Sequence, residues 1–284
     1  MSKGLLDPKV DFVFKNIFGS PNHPEILISF LNATLKAKKK IVNVDIKKTD
    51  IEKQYIEDKY SRLDVKATTS NDEIINIEIQ LKNENNMVKR SLYYLSKMYE
   101  EQLNEKEDYS KLVRTVCINI LNFKYLKTDN FHTGYRFKEI ESNEELTDIM
   151  EVHFIEIPKL QDSSDEKDML VAWTEFLKDP ESEKVRGLEL SIEEIRQAKD
   201  ELIRMSNDST QRELYDMRAN SLRDKMSELN AAERKGIEKG REEGREEGRK
   251  EGIEEGRKEE KIEIARNMKL SGLDTNTIAK VTNL

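Results

Sequence analysis

The chain has 284 residues, with 49 Lys and Arg against 57 Asp and Glu and a formal net charge of −8. That length predicts one principal domain with an appended region, and the acid excess excludes a surface coated in basic residues. The lone Cys117 excludes an internal disulfide and a Cys₂His₂-type zinc site. No apolar stretch approaches the roughly 20 residues that cross a bilayer, and the start lacks an apolar signal run. The expectation is a cytoplasmic protein with no membrane partner.

The first predicted element is a helix opening at Asp11, with Phe12, Phe14, Ile17 and Phe18 as core and Lys15 on its polar side. Asp11 is either an acid that complements the helix dipole or a site residue. Lys36, Lys38, Lys39 and Lys40 form the densest basic cluster of the first 90 residues, which carry 16 basic and 13 acidic side chains. The acid excess therefore lies downstream. The cluster reads as a solvated helix end or a contact to a polyanion, and an alternating strand follows over residues 41–46.

Residues 62–81 read as two strands joined by a polar turn. Leu63, Val65 and Ala67 alternate with Arg62, Asp64, Lys66 and Thr68; Ile75, Ile77, Ile79 and Leu81 alternate with Asn76, Glu78, Gln80 and Lys82. An amphipathic helix is predicted over 87–103, facing inward through Leu92, Leu95, Met98, Tyr99 and Gln102. Strands are predicted at 113–121, where Cys117 is buried, and at 152–157, separated by a polar stretch over 124–145. His23, His132 and His153 are widely spaced and receive no chemical role.

From residue 165 the pattern turns helical. Met169, Leu170, Trp173, Phe176 and Leu177 form one apolar face, with Trp173 as a packing anchor; Ile192, Ile195, Leu202 and Ile203 form another. In residues 233–260 Gly236, Gly240, Gly244, Gly248, Gly252 and Gly256 recur every fourth position among Glu, Arg and Lys. Six glycines cost an isolated helix about 5–6 kcal/mol relative to alanine, more than neighbouring ion pairs of about 0.2–0.5 kcal/mol return. This segment is therefore either a flexible linker or a helix with another helix against its glycine stripe, which points to a homo-oligomer. Residues 261–284 outline two short helices around Ser271-Gly272-Leu273-Asp274, with Asp274 or Thr275 as cap. Only Lys280 would be basic on a recognition helix, so this end reads as a docking module rather than a reader of bases.

The hairpin carries the chemistry. If Ser70, Asn71 and Asp72 form a three-residue loop, Thr69 pairs with Glu73 and Asp64 lies directly across from Glu78. Opposed residues have Cβ atoms about 4.5–5.5 Å apart, and two anions at about 5 Å repel by roughly 3 kcal/mol at an effective dielectric near 20. A shared proton, a neighbouring Lys or Arg, or a divalent cation would each offset this. The plain alternative is a solvated strand face on which Glu78 pairs with Lys66.

The order of Asp11-Phe12-Val13-Phe14-Lys15, then Asp64, then Glu78-Ile79-Gln80 after thirteen intervening residues resembles the PD-(D/E)XK nuclease superfamily. Within it, the chain is most similar to the recombination-promoting nuclease and putative transposase family. The resemblance implies an α/β fold, a small mixed β-sheet flanked by helices with a restriction-endonuclease-like core, followed by a helical C-terminal region. It implies a nuclease-like domain over 1–160, which the residue pattern follows with a helical region over 161–232, the repeat over 233–260 and a hairpin over 261–284.

It further implies that Asp64 and Glu78 bind Mg²⁺, or Mn²⁺, with help from the Ile79 carbonyl. Gln80 stands where many superfamily members have Lys. An amide can orient water but brings no charge, so turnover is expected to be slow unless Lys66, Lys82 or Lys15 supplies charge to a phosphate. Asp11 is the remaining candidate. The function so implied is metal-dependent hydrolysis of DNA, linked to recombination, mobile elements or defence. The alternative is a catalytically decayed relative that binds or inhibits through its helical tail.

Overall fold

The computed structural model describes residues 4–37, 39–47, 65–165 and 167–284. Two helices open the chain. α1 (Asp11–Phe18) buries Phe12, Val13, Phe14, Ile17 and Phe18, and α2 (Pro24–Leu35) starts on Pro24, whose missing N–H costs a first helical turn nothing. Strands β1 (Val44–Lys47), β2 (Val65–Thr69) and β3 (Ile74–Gln80) are antiparallel neighbours. Helix α3 (Met87–Glu100) leads to the buried strand β4 (Thr115–Leu121), then β5 (His132–Lys138) and β6 (Glu145–Glu156). Helices α4 (Met169–Lys178), α5 (Glu183–Glu189), α6 (Glu193–Asn207), α7 (Ser209–Leu270) and α8 (Thr275–Thr282) complete the described chain.

The six strands make one mixed sheet in the order β1-β2-β3-β4-β6-β5, parallel only between β3 and β4 and between β4 and β6. This is the expected α/β core. The β2–β3 turn sets its register: the Thr69 N–H donates to the Glu73 carbonyl at 2.9 Å and the Asp72 N–H to the Thr69 carbonyl at 3.0 Å. Asp72 takes the left-handed conformation the loop needs, at φ 61°. Val65 then pairs with Ile77 and Lys66 with Asn76.

Period-two alternation divides the sheet into two covered faces. Ile75, Ile77 and Ile79, with Val116, Ile118 and Ile120, join the core built from α1, α2, α4 and α6. Phe18 packs edge-on against Trp173 with ring centroids 5.3 Å apart, so Trp173 is the expected anchor. The opposite face holds Cys117, Leu121, Val152 and Phe154 against Met87 and Leu95 of α3.

Several elements depart from the expectation. β5 lies in the stretch read as polar loop, and β6 begins at Glu145, because β5 is the edge strand and the first residues of β6 pair with it alone, so both carry largely exposed side chains there with no apolar alternation. On α3 the inward set is Met87, Ser91, Tyr94, Leu95 and Met98, whereas Leu92 is 50% exposed. A buried hydroxyl has replaced the apolar side chain that periodicity favoured. Ile203 is likewise 38% exposed.

Contacts divide the chain into two units, Met1–Asn220 and Ser221–Leu284, each compact within itself. The glycine repeat lies within α7, a single helix of 62 residues. In the second unit Gly272 turns the chain at φ 84°, and Asp274 caps α8 by accepting from the Asn276 and Thr277 N–H groups. Ala265, Met268 and Ile278 are half-buried there, while Leu270, Val281 and Leu284 are exposed. Among the described residues no helix is long and apolar enough to cross a membrane.

Two histidines given no role from the sequence form a chain on the sheet. His132 Nε2 lies 2.9 Å from His153 Nδ1, and His153 Nε2 lies 2.7 Å from Glu151 Oε1. Gly134 permits this, since a Cβ there would sit 3.0 Å from His153 Cε1. Arg114 joins Glu151 to Glu73, and Arg136 pairs with Glu151 at 3.0 Å. Burial alone would raise the Glu151 carboxyl, but hydrogen bonds from His153 and Arg114 bring it down to about 2. Burial, with His153 and Lys36 adding to it against Asp168 and Glu151, lowers His132 to about 4.

Unfolded His132 takes a proton near 6.5 and folded His132 near 4, so over that interval the unfolded chain binds more protons and stability falls as pH falls. Glu151 adds a further decline between 4.5 and about 2. The urea midpoint of the wild type is therefore expected to drop as pH falls from 6.5 to 4. In His132→Gln that part of the slope should flatten; an unchanged slope would contradict the assignment.

Candidate active site

The central face of β3 projects Asn76, Glu78 and Gln80 toward the α3 layer, as alternation requires. The neighbouring strands place Lys66 beside Asn76, Cys117 beside Asn76 and Asn119 beside Glu78. A solvated strand face is ruled out: Asn76 is 0% and Glu78 1% exposed. The first turn of α3 closes over them.

Arg90, on that turn, holds Glu78. Its Nε lies 3.2 Å from Glu78 Oε2, with the Glu78 side chain 1% and the Arg90 side chain 25% exposed. Lys66 does not take this role; it pairs with Glu101 at 3.7 Å. Burial pushes the Glu78 carboxyl above its ordinary range, while first the charge of Arg90 and then the nearby polar groups of Asn76, Arg90 and Gln80 pull the other way. Burial, reinforced by the negative charge of Glu78, pushes the Cys117 thiol up to about 12, so it stays a protonated core side chain.

Beside this pair runs a polar seam. Ser91 Oγ donates to Asn119 Oδ1 at 2.9 Å and Asn119 Nδ2 donates to the His153 carbonyl at 3.1 Å. Glu78 Oε1 and both amide atoms of Asn76 are buried without a hydrogen-bond partner among the described residues. An unsatisfied buried polar atom costs about 1–3 kcal/mol, so three side by side mark a place shaped for a further polar group. A carboxylate oxygen and an amide oxygen are hard donors of the kind Mg²⁺ and Mn²⁺ take.

These donors fit a divalent cation as part of a set. Glu78 is their only acid, and no group of three or more His, Cys, Asp or Glu able to hold a metal occurs among the described residues. Asp64, the expected second ligand, lies outside the described residues, as does Lys38 of the basic cluster. The pairing of Val65 with Ile77 and of Lys66 with Asn76 is the register that the expected Asp64 and Glu78 opposition requires. The Ile79 side chain faces the opposite core, as does that of Ile77.

Other sequence candidates lie apart. Asp11 accepts from the Phe12 N–H at 2.8 Å and pairs with Arg218 at 2.8 Å, on a helix that packs against the other face of the sheet. Lys15 is half-buried on the same helix, and Lys82 is half-buried just past the end of β3. Lys36 ends α2 at φ 46° and pairs with Asp168 at 3.2 Å. The structure thus joins Glu78, Gln80 and Lys66 on one face, and adds Asn76, Arg90 and Asn119, which sequence reasoning had not selected. For Asn76 the signal was present, two residues before Glu78 on the same face. Arg90 could be found only by knowing which turn of α3 crosses β3.

Asn119→Ala would remove the bonds to Ser91 and to the His153 carbonyl, leaving Ser91 only the Met87 carbonyl, and a loss of about 1–3 kcal/mol is expected. Urea unfolding should show a lower midpoint at unchanged slope; wild-type stability would contradict the seam.

No curated protein and no solved structure gives a significant match to the chain. A family model described as PD-(D/E)XK nuclease family transposase matches residues 8–232, a span that contains the sheet, α3 and the buried carboxylate. With most of its length matched in this way, the chain belongs to that family.

Proposed function

We propose that this chain is a divalent-metal-dependent endonuclease that hydrolyses phosphodiester bonds in DNA. The observation that carries the reading is the buried Glu78, whose Oε1 and the adjacent Asn76 amide have no partner among the described residues. Membership of a nuclease-like family supports it. Asp64, Glu78 and the Ile79 carbonyl would hold Mg²⁺, with Mn²⁺ as a substitute. Such a cation, when bound, acidifies water and neutralises charge on the phosphate.

The remaining roles fall to side chains. Gln80 accepts or donates a hydrogen bond to orient the attacking water, but its neutral amide cannot stabilise the phosphate by charge. Lys66 on β2 lies directly opposite Asn76 and Lys82 just beyond β3, so both are candidates for the phosphate; Lys15 is a more distant one. Burial of Glu78 keeps water from competing with the ligand it binds. A role in recombination, mobile elements or defence, action in the cytoplasm, and self-association through α7 belong to the same proposal. Ile237 and Ile253, 53% and 50% exposed, break the charged surface of α7 and give a second helix something apolar to meet.

The Arg90 ion pair favours one second reading, because it satisfies Glu78 Oε2 without a cation. On that reading the chain is a decayed nuclease that binds but does not cut. Plasmid DNA incubated with the purified full chain separates the two. Nicking is expected with Mg²⁺ or Mn²⁺, not with chelator, and should fall at least ~10²-fold in Asp64→Ala and Glu78→Ala. Nicking that persists in both variants would place the activity elsewhere, and none in the wild type would favour the decayed reading.

A further inference from the structure

Among the described residues Arg90 is the basic side chain that pairs with Glu78, and its placement goes beyond a structural ion pair. It arises from the first turn of α3, its Nε reaches Glu78 Oε2 at 3.2 Å, and a quarter of its side chain remains exposed. Its guanidinium carbon lies 5.4 Å from the centre of the Tyr94 ring, four residues along the same helix. Lys66, a further basic group of the same face, pairs with Glu101 at 3.7 Å. Gln80 brings no charge.

Arg90 and a divalent cation would draw on the same carboxylate. An arginine stays protonated at any working pH, so a cation arriving at Glu78 meets a positive charge within hydrogen-bond distance of its ligand. The repulsion is relieved if the guanidinium turns outward along its exposed side. There it would meet the backbone of a nucleic acid, and a planar guanidinium matches two phosphate oxygens at once.

We propose that Arg90 serves two positions in turn: counter-ion of Glu78 in the cation-free protein, then clamp on the DNA phosphate once Glu78 has taken a divalent cation. Arg90 thereby supplies the positive charge that Gln80 lacks. This rests on the nuclease reading above and adds to it an active-site residue outside the Asp64, Glu78 and Gln80 set. It also makes cation entry self-limiting, because a charge arriving at Glu78 Oε1 repels the guanidinium held at Oε2.

The test uses the full chain as wild type, Arg90→Gln and Arg90→Lys, with folding of each checked by near-ultraviolet circular dichroism. Mn²⁺ affinity is measured by calorimetry without DNA, and plasmid nicking is measured in parallel. In Arg90→Gln, Mn²⁺ binding is expected to tighten by about tenfold, since the competing charge is gone. Its kcat should fall by roughly 10²-fold, the scale of losing one charge-stabilising group.

Arg90→Lys keeps a point charge without the planar fork and should nick at an intermediate rate while binding Mn²⁺ about as the wild type does. Unchanged or weaker Mn²⁺ binding in Arg90→Gln would overturn the competition, and an unchanged kcat would overturn the clamp. A wild type that binds Mn²⁺ and nicks while Arg90→Gln behaves identically sinks this inference alone. A wild type that binds no Mn²⁺ and does not nick sinks the nuclease reading and this inference with it.

Discussion

A carboxylate buried under a helix is the constraint from which the rest of this structure follows. Glu78 sits in the middle of β3, 1% exposed, and taking an ionised group out of water costs several kcal/mol unless it is paired. Arg90 gives it one charge-assisted partner from α3. That partner ties the helix to the sheet at a defined turn, which explains why α3 turns Ser91 inward and Leu92 outward. The Ser91, Asn119 and His153 hydrogen bonds then fill the seam that the ion pair opens. The pair satisfies one carboxylate oxygen and leaves the other without a hydrogen-bond partner among the described residues.

The position of this seam follows from topology. β3 is the strand at which the sheet changes from antiparallel to parallel pairing, and only a central strand with layers on both sides can bury a charge while its neighbours hold it in register. The opposite layer is a large apolar core, anchored by Phe14, Phe18, Phe30 and Trp173. That core fixes β3 and β4 rigidly, so the polar face can carry unsatisfied atoms without the sheet adjusting to satisfy them. Rigidity on one face allows incompleteness on the other.

Much of this was legible in the sequence because alternation and turn chemistry are local. Ile75, Ile77 and Ile79 against Asn76, Glu78 and Gln80 gave the two faces, and the Ser70-Asn71-Asp72 loop gave the β2–β3 register. What lay hidden was non-local. The polar face reads as solvated until α3 is known to lie across it, and Arg90 is one of many surface-compatible basic residues until then. β5 escaped because an edge strand with exposed side chains has no apolar period, and the His132, His153 and Glu151 chain spans two strands joined only by the fold. The glycine repeat posed a different difficulty, since intrinsic propensity disfavours the helix that α7 forms.

The most direct measurement of whether Glu78 is a metal ligand is anomalous diffraction from a crystal of the full chain grown with Mn²⁺. Expected is a single strong peak within about 2.0–2.3 Å of Glu78 Oε1, the range of cation-to-oxygen bonds, with Arg90 turned away from the carboxylate. A map with no peak there, and with Arg90 still bonded to Glu78 at saturating Mn²⁺, would contradict the central claim.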